Sequence, residues 1–290
     1  MTWNYDSAFS RNRGLIQPHE QQCLRHACVA IAGLGGVGGS HLVTLLRLGI
    51  GRFHLADPDQ FELPNMNRQY GADMSSLGKS KVEVMAAVAR RINPDVELTL
   101  FSGGLTPQNC DAFFQSADVA VDGIDFFAVK PRRLFFQQAR ERGLFALTSA
   151  PLGFSATMHI FSPTGMSFDE YFDVRDGMAQ EDTLIAFLLG LAPKALHRPY
   201  IDLSFVKGSL QNGPCSGLAC QLCSGMVTAE IVNLLLKRSP PKVAPWYCQF
   251  DAYRRRFVQG RLFLGNRHPL QRLKRWYMKK HWGHVFKDGA

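Results

Sequence analysis

Hydrophobic and polar positions along the chain alternate between short apolar runs and longer segments in which apolar residues recur at helical spacing. The apolar runs predict strands at Cys28–Ala32, Arg52–Ala56, Val96–Phe101, Asp118–Val121 and Phe145–Thr148. The segments between them predict helices at Val37–Leu48, Lys79–Ile92, Pro107–Ser116 and Lys130–Arg142. Because strands and helices alternate in this way, we expect an α/β fold with a Rossmann-like, doubly wound and mostly parallel sheet.

The pattern changes after Gly153. The later strands are predicted at Phe154–Phe161, Trp246–Asp251 and Arg256–Leu264, as antiparallel additions at the C-terminal side of the sheet. The remaining helices are predicted at Pro18–His26, Thr183–Leu191, Cys215–Lys237 and Pro269–Trp282. We therefore predict one domain over residues 1–252, with an N-terminal arm (1–27) and a segment that crosses the ligand-binding face (162–214). Residues 253–290 are predicted to be a basic C-terminal tail.

The first predicted strand runs into a glycine turn that contains Gly33, Gly35, Gly36, Gly38 and Gly39. Glycines let the backbone approach a ligand closely, and the helix that follows directs its N–H groups and positive end at a phosphate. Asp57 ends the second strand, about twenty residues further on, where a carboxylate binds ribose hydroxyls in such folds. The unit predicts a nucleotide site, and by itself it leaves a dinucleotide and a mononucleotide equally open.

Three further polar groups follow the ends of predicted strands: Asn65-Met66-Asn67-Arg68-Gln69, Lys81, and Asp122-Gly123-Ile124-Asp125. Ligands bind at the carboxyl ends of strands in open α/β sheets. A triphosphate carries more charge than a dinucleotide, and it needs cationic side chains and a divalent metal. Arg68, Lys81 and a metal-holding Asp125 would supply that set, because the chain has no G-x-x-x-x-G-K-[ST] sequence to form a P-loop.

With these motifs in order (GLGGVG, Asp57, NMNRQ, GKSK, INP and DGID), the chain resembles the ThiF/MoeB/HesA family. This family comprises bacterial relatives of ubiquitin-activating enzymes, and the resemblance runs from about Arg11 to about Lys237. It implies an adenylation domain in which a carboxylate attacks the α-phosphorus of ATP with Mg²⁺, giving an acyl adenylate and pyrophosphate. The carboxylate that the resemblance implies is the C-terminus of a ubiquitin-fold carrier protein or of a peptide.

The same resemblance implies roles for individual residues. Asn65, Arg68 and Lys81 are expected to contact the phosphates, beside the glycine turn. Asp57 is expected to bind ribose, and Asp125 to hold magnesium.

Two positions bear on the partner subunit and on a departure from the family. Arg13, in SRNRG, resembles the arginine that family members send into the partner's ATP site, which implies a homodimer with two composite sites. Phe126 stands where the family usually has Asn after the metal-binding Asp, so one secondary ligand contact is not expected here.

The cysteines bear on thiol chemistry and on zinc. Seven scattered cysteines, an odd number, argue against a disulfide framework. Family members that form a thioester need a cysteine in the crossing segment. None lies between Thr148 and Pro214, which leaves Cys215 as the candidate. Zinc-binding members carry two C-x-x-C pairs. Because this chain has only Cys220-x-x-Cys223, we expect core packing there and no zinc.

Charge and hydropathy bear on partners and location. The net charge of +9 is concentrated in residues 253–290, which hold 11 Lys and Arg against one acid, whereas the rest holds 22 against 23. The tail favours an anionic surface (lipid, RNA or acidic protein), although a solvated helix docked through Leu and Trp explains it equally well. No run approaches the roughly 20 apolar residues that span a membrane, and MTWNYDSAFSRNR lacks a signal pattern. We therefore expect a cytoplasmic protein without a transmembrane segment.

Other interpretations stay open. An NAD(P)-dependent oxidoreductase would use the glycine turn and Asp57, but it leaves Arg68, Lys81 and Asp125 without a role. A non-catalytic nucleotide-binding scaffold needs none of these charged residues. Asn65 is also explained as a residue that shapes a turn, and Arg68 and Lys81 as solvated surface charges. The sequence does not distinguish a carrier protein, a peptide, a small carboxylic acid or a modified tRNA base as the acceptor.

Overall fold

The computed structural model of the chain describes residues 2–202 and 213–287, and side chains as far as Gly283. In these two ranges the strands are β1 (Cys28–Ala32), β2 (Arg52–Ala56), β3 (Glu97–Phe101), β4 (Val119–Asp122), β5 (Phe145–Leu152), β6 (Ser155–Phe161), β7 (Trp246–Asp251) and β8 (Arg256–Arg261). They form one sheet in the order β3-β2-β1-β4-β5-β6-β7-β8.

The first five strands pair in parallel, and the last three are antiparallel additions. β1 lies between β2 and β4, while β3 pairs with β2 and β5 pairs with β4. β6, β7 and β8 then follow as antiparallel neighbours. The α/β class and the Rossmann-like, mostly parallel sheet expected from the sequence are therefore confirmed. The strand order reverses between β1 and β4, and such a switch point opens a crevice at the carboxyl ends of the strands.

The helices of the described residues are α1 (Tyr5–Ala8), α2 (Pro18–His26), α3 (Gly36–Arg47), α4 (Lys81–Ile92), α5 (Cys110–Phe114), α6 (Val129–Glu141), α7 (Phe168–Phe172), α8 (Gln180–Leu191), α9 (Gly217–Leu235) and α10 (Pro269–Lys287). They cover both faces of the sheet, because successive side chains of a strand point to opposite faces. Val29 and Ile31 of β1 belong to the core shared with α3, α4 and α9. Ala30 and Ala32 belong to the core shared with α5, α6, α7 and α8.

Element ends differ from the prediction where a hairpin or a capped turn intervenes. β5 extends beyond the predicted Thr148 to Leu152, because it continues as one arm of a hairpin with β6. α5 begins at Cys110 and not at Pro107, because the preceding residues form a turn that the Asn109 side chain caps. The other predicted elements lie within a few residues of their predicted ends, except that α10 continues beyond Trp282 to Lys287; α1 and α7 were not predicted.

The basic tail is continuous with the domain. The boundary predicted at residue 252 falls in the turn between β7 and β8, so the sheet runs across it. α10 then lies along α8, where Gln271 is 2% exposed and donates to the Leu189 carbonyl (3.1 Å). Lys274 donates to the Pro193 carbonyl at 2.8 Å. The tail therefore covers part of the domain as far as the described residues reach.

α10 packs on the domain largely through polar and basic residues, and its leucines do not make that contact. Leu270, Leu273 and Tyr277 are 63%, 59% and 50% exposed. Arg275 and Lys279 instead face the domain, where they pair with carboxylates that flank α7 and begin α8. Of the docking through Leu and Trp that would explain the tail, the leucine part is therefore wrong, whereas Trp282 packs against the cluster of Leu184 and Ile185. The reason is that acidic and carbonyl acceptors on the domain select the basic face.

One helix of the described residues, α9, is long and apolar enough to cross a membrane by length and composition. Our expectation that no run approaches that length was therefore wrong. α9 packs along α3 and against β5 and β6, and Ser224 donates to the Ser40 carbonyl at 2.8 Å. Val227 and Ile231 belong to the core. α9 is therefore mainly a core helix, and the cytoplasmic location stays a prediction.

Candidate functional site

A cleft of about 1490 Å³ opens at the carboxyl ends of β1, β2 and β4. Residues predicted from separate motifs line it together: Gly33, Gly35, Gly36, Asp57, Asn65, Arg68, Lys81 and Asp125. Gly38 and Arg13, which were also predicted, are not among the residues that line it. We name the part formed by the motif residues the inner half of the cleft.

The glycine turn of the inner half packs against the end of β4. Gly33 has a φ of +87°, a region that favours glycine. A Cβ at Gly38 would overlap the Gly33 carbonyl, so packing explains this glycine better than ligand contact does. α3 begins at Gly36, and its first residues line the cleft. Its unpaired N-terminal N–H groups and positive end are thus available to an anion.

Asp57 holds the glycine turn in place. It is 4% exposed, and its Oδ2 accepts the Leu34 N–H at 2.5 Å while Oδ1 accepts the Asp59 N–H at 2.8 Å. Burial raises the pKa of the Asp57 carboxyl, and the two backbone hydrogen bonds oppose that shift. The sequence analysis missed this structural role, because the partner N–H of Leu34 comes close only in the folded chain.

Lys81 is the first residue of α4, where the positive end of the helix disfavours a cation. Its side chain is 8% exposed, and its ammonium lies 2.9 Å from the carboxylate of Asp59. The Lys81 N–H also donates to the Asp59 carbonyl at 2.9 Å. Asp59, which the motifs did not single out, is therefore the counterion that holds Lys81 in the cleft.

The loop after β2 presents Arg68 to the cleft. Asn65 is 8% exposed, and its Oδ1 accepts the Glu62 N–H at 3.0 Å, so it does shape the turn. Arg68 donates to the Pro64 carbonyl and to Asn67 Oδ1, both at 2.9 Å. No carboxylate within the described ranges forms an ion pair with its guanidinium. Its charge is therefore available to a ligand.

The two aspartates of the loop after β4 have different environments. Asp122 is 1% exposed, and its Oδ2 accepts the Arg132 Nε–H and the Thr148 hydroxyl, each at 2.8 Å. Arg132 also donates to the Asp125 carbonyl at 3.0 Å, so this buried arginine braces the loop from behind. The Asp125 carboxylate is exposed and lines the cleft, with Oδ1 accepting the Phe127 N–H at 2.9 Å. Asp122 therefore supports the loop, and Asp125 faces the ligand side.

The oxygen, nitrogen and sulfur donors of the site bear on metal binding. Within residues 2–202 and 213–283, no group of three or more His, Cys, Asp or Glu side chains is arranged to hold one. A magnesium ion that travels with a triphosphate needs fewer protein ligands, since phosphate oxygens and waters complete its shell. The exposed oxygen donor Asp125 fits such an ion.

Cys220 and Cys223 lie in an apolar cluster, and burial raises the pKa of Cys223 to about 12. The absence of zinc stays a prediction.

Cys215 lies at the edge of the cleft beside Arg68. Its Sγ is 3.9 Å from the Sγ of Cys220. The hydrogen bond with Cys220 lowers the pKa of the Cys215 thiol, burial opposes this, and the Arg68 charge lowers it further. Asn67 donates to the Cys215 carbonyl at 3.0 Å. Cys215 therefore stays the candidate nucleophile.

The cleft extends beyond the motif residues into an outer half, which we define as the part lined by residues 188–201 and 273–282. Its wall is formed by the end of α8 with the residues after it, and by one side of α10. Phe126 lies between the halves and packs on Phe187, with ring centroids 5.3 Å apart. The predicted crossing segment 162–214 supplies part of this wall, and its residues 203–212 lie outside the described residues. The contribution of α10 was not predicted.

A sequence model of the ThiF family matches residues 9–272, which is most of the chain. The chain belongs to the ThiF family. The resemblance inferred from the motifs is thus confirmed, and the matched region contains every residue of the inner half.

Relatives of this ThiF-family chain include the tRNA threonylcarbamoyladenosine dehydratase of Bacillus subtilis, which is 35% identical over 123 residues, 42% of this chain and 48% of that protein. Vegetative protein HesA of Trichormus variabilis is 39% identical over 102 residues, 35% of this chain and 38% of that protein. The chain therefore spans about half or less of the length of the curated relatives it matches. The solved structure of E. coli MccB with ATP shares the fold, with a TM-score of 0.64 and 17% identity over 91% of this chain and 72% of that chain.

Proposed function

We propose that this protein is an ATP-dependent adenylyltransferase, which joins AMP to the carboxylate of an acceptor and releases diphosphate. The observation that carries the proposal is the convergence of Arg68, Lys81 and Asp125 on one cleft with the glycine turn, in a chain of the ThiF family. A nicotinamide enzyme needs none of these three charged residues there. The ligand that accounts for all of them is a triphosphate with its metal.

The inner half offers a complementary group for each part of ATP. The N-terminus of α3 and the glycine turn suit the phosphates. Asp57 already accepts two backbone N–H groups, but each carboxylate oxygen has a further lone pair, which can accept a ribose hydroxyl. Asp125 would hold Mg²⁺, whose chemistry is to neutralise charge on the phosphate oxygens. The resemblance of the motifs and the MccB–ATP fold support this placement.

The charges of the inner half suit the step in which diphosphate leaves. As the acceptor oxygen attacks the α-phosphorus, negative charge builds up on the departing diphosphate, and fixed cations stabilise it. Arg68 has no carboxylate partner among the described residues, so its charge is available at once. Lys81 is held by Asp59 at 2.9 Å. The oxygens of the departing diphosphate would compete with the single, largely exposed carboxylate of Asp59 for the Lys81 ammonium.

The acceptor proposed is the C-terminal carboxylate of a carrier protein or a peptide. MccB, which shares this fold, has also been solved with MccA-N7isoASN. A second candidate acceptor is a carboxylate on a modified tRNA base, favoured by the 35% identity to the Bacillus subtilis tRNA threonylcarbamoyladenosine dehydratase. The reaction at phosphorus is the same for both.

The test is ATP–pyrophosphate exchange with Lys81→Ala, using pooled peptides with free carboxyl ends and pooled tRNA as separate acceptors. Removing one positioned charge is expected to slow exchange by about 10²–10³. The matched control is Lys79→Ala in the same motif, because Lys79 is exposed and does not line the cleft. Near-normal exchange by Lys81→Ala would remove this lysine from the mechanism. NAD binding without ATP binding, measured by calorimetry, would contradict adenylation altogether.

We also propose that the working unit is a homodimer. Arg13 is exposed and lies outside the cleft of its own chain, which is compatible with a role in a partner's site. Mixing an Arg13→Ala subunit with an Asp125→Ala subunit is expected to restore part of the exchange activity, because half of the heterodimer's sites contain only intact residues. Light scattering that gives a monomer, or no recovery after proven subunit exchange, would refute the shared site.

A further inference from the structure

Two lysines, Lys194 and Lys274, line the outer half of the cleft together. In the part of the chain that the structure describes, neither forms an ion pair. Lys274 Nζ donates to the Pro193 carbonyl at 2.8 Å. Partial burial and the neighbouring Lys194 charge lower the pKa of Lys274. The pair is therefore a place where an added anion would relieve repulsion.

The backbone that carries these lysines is fixed by buried groups. The Lys194 N–H donates to Gln249 Oε1 at 2.8 Å, and Gln249 is 0% exposed. Arg254 donates to the Leu196 carbonyl at 3.0 Å, which holds the same loop from its other side. α10 is anchored by the buried Gln271. The backbone at both lysines is thus held in place from both walls of the cleft.

Next to the lysines, α10 presents an apolar strip to the cleft. Leu273, Trp276 and Tyr277 line the cleft, and they are 59%, 59% and 50% exposed. They share one face of the helix because their spacings are three and four residues. Leu188 and Leu189 continue this apolar surface on the opposite wall. An exposed strip of this kind, beside cations, marks a binding surface for a chain that is itself partly apolar.

We propose that the outer half is the acceptor site, and that α10 with Lys194 and Lys274 selects a polypeptide end that carries acidic and apolar side chains. This inference rests on the proposed adenylation, because it places the acceptor carboxylate beside the ATP of the inner half. The volume agrees with two ligands, since pockets for one small ligand reach about 1,000 Å³ and this cleft has about 1490 Å³.

A polypeptide is favoured over a nucleic acid by the aliphatic part of the surface. Surfaces that bind nucleic acid are more polar and more positively charged than those that bind protein. Here Leu188, Leu189 and Leu273 line the cleft beside Trp276 and Tyr277, and tryptophan and tyrosine are enriched where proteins bind proteins. Charge alone would suit either ligand, whereas the leucines suit apolar side chains.

The test measures peptide binding by fluorescence anisotropy, with the full chain and a non-hydrolysable ATP analogue present. The probes are a short Glu/Leu-rich peptide with a free carboxyl end, its C-terminal amide, and a Lys/Leu-rich peptide. The wild-type protein is expected to prefer the acidic free acid. Lys274→Glu is expected to weaken that binding roughly tenfold and to improve binding of the Lys/Leu-rich peptide.

The matched control is Arg272→Glu, which makes the same charge change on the same helix at a residue outside the cleft lining. It is expected to weaken binding by about twofold at most. Equal loss from Lys274→Glu and Arg272→Glu, or no preference for the acidic peptide, would overturn the proposal. So would selective loss of binding to a pooled tRNA probe, because the occupant would then be a nucleic acid.

Two further measurements keep the outcomes distinct. Lys194→Glu repeats the charge reversal from the opposite wall, and it decides the question if Lys274→Glu fails to fold. Calorimetry with ATP reports on the inner half alone. A wild-type protein that binds no ATP contradicts the proposed adenylation. A wild-type protein that binds ATP but shows no preference for the acidic peptide contradicts only the assignment of the outer half as the acceptor site.

Discussion

The inner and outer halves of the cleft differ in how their charges are arranged. In the inner half, Lys81 is paired with Asp59, and Asp57 accepts two backbone N–H groups. In the outer half, Lys194 and Lys274 form no ion pair with a described carboxylate. The inner half comes from loops at the carboxyl ends of neighbouring strands, whereas the outer half comes from helices α8 and α10 laid across that edge.

This difference separates two requirements of a site for two ligands. The inner half is rigid before any ligand arrives, because buried polar groups fix each loop, as Arg132 fixes the loop after β4. Such a preorganised site stabilises charge without rearrangement. The outer half keeps cations without a described ion-pair partner and exposed apolar side chains such as Trp276, and in our proposal these select the second ligand. Under our proposal, one half of the cleft thus carries the chemistry and the other half selects the acceptor.

The largest expected effect comes from replacing Arg132, which holds the loop after β4 in the inner half. Arg132→Met removes the cationic partner of Asp122 and leaves that carboxylate buried without a counterion, while a long side chain still covers the Phe187 ring. Loss of one partner of a buried pair destabilises a protein by about 3–5 kcal/mol. We therefore expect a loss of that size in the free energy of unfolding, measured by urea denaturation.

Two further variants sharpen this prediction. Lys130→Ala lies on the same helix, but Lys130 is exposed, so it is expected to change stability by less than about 0.5 kcal/mol. Adding Asp122→Asn to Arg132→Met removes the buried charge, and it is expected to recover part of the loss. If the double variant is less stable than Arg132→Met, the ion pair is not the main contribution of this arginine.

A pH-dependent effect tests whether the two halves unfold together. His41 lies on α3, the helix that begins at the inner half, and His159 lies on β6 beside Tyr171 of α7. Burial lowers the pKa of each histidine to about 3. An unfolded histidine has a pKa near 6.5, so below that pH the unfolded state binds protons that the folded state does not. Stability therefore falls as pH drops from about 6.5 toward about 3, by up to about 1.4 kcal/mol per pH unit for each histidine.

The measurement is urea denaturation at several pH values between 7 and 4, with each slope taken relative to the same variant at pH 7. His41→Gln and His159→Gln should each reduce the slope by one histidine's share, and the double variant by both. If the halves unfolded separately, each substitution would change only one of two transitions. Slopes identical to the wild type in all three variants would contradict the burial-driven shift.

Much of the inner half was predictable because its residues follow strand ends. The motifs placed Arg68, Lys81 and Asp125 after β2, at the start of α4 and after β4, and parallel strands bring those ends to one edge. The role of Asp59 could not be inferred, since it depends on how the loop returns to the start of α4. Gly38 was assigned to the nucleotide turn, although a contact with the Gly33 carbonyl explains it.

The outer half was not predictable in the same way. The segment PLQRLKRWYMKKHW predicts a helix with leucines and basic residues on opposite sides, and the apolar side is normally the buried one. In the structure the basic side is held instead, through Arg275 and Asp173, which are 102 residues apart in sequence. Helical periodicity identifies the two faces of α10. Which face packs on the domain depends on carboxylate and carbonyl acceptors that lie elsewhere in the chain.

The sequence by itself determined the sheet, the order of the motifs and the edge at which they meet, because strand alternation and strand ends are local features of the chain. Only the tertiary structure decided that α10 closes the cleft with its basic side on α8 and leaves Leu273 and Trp276 facing the opening. That choice depends on hydrogen bonds and ion pairs between distant segments. These contacts form only when the distant segments come together in the folded domain, so no local sequence pattern predicts them.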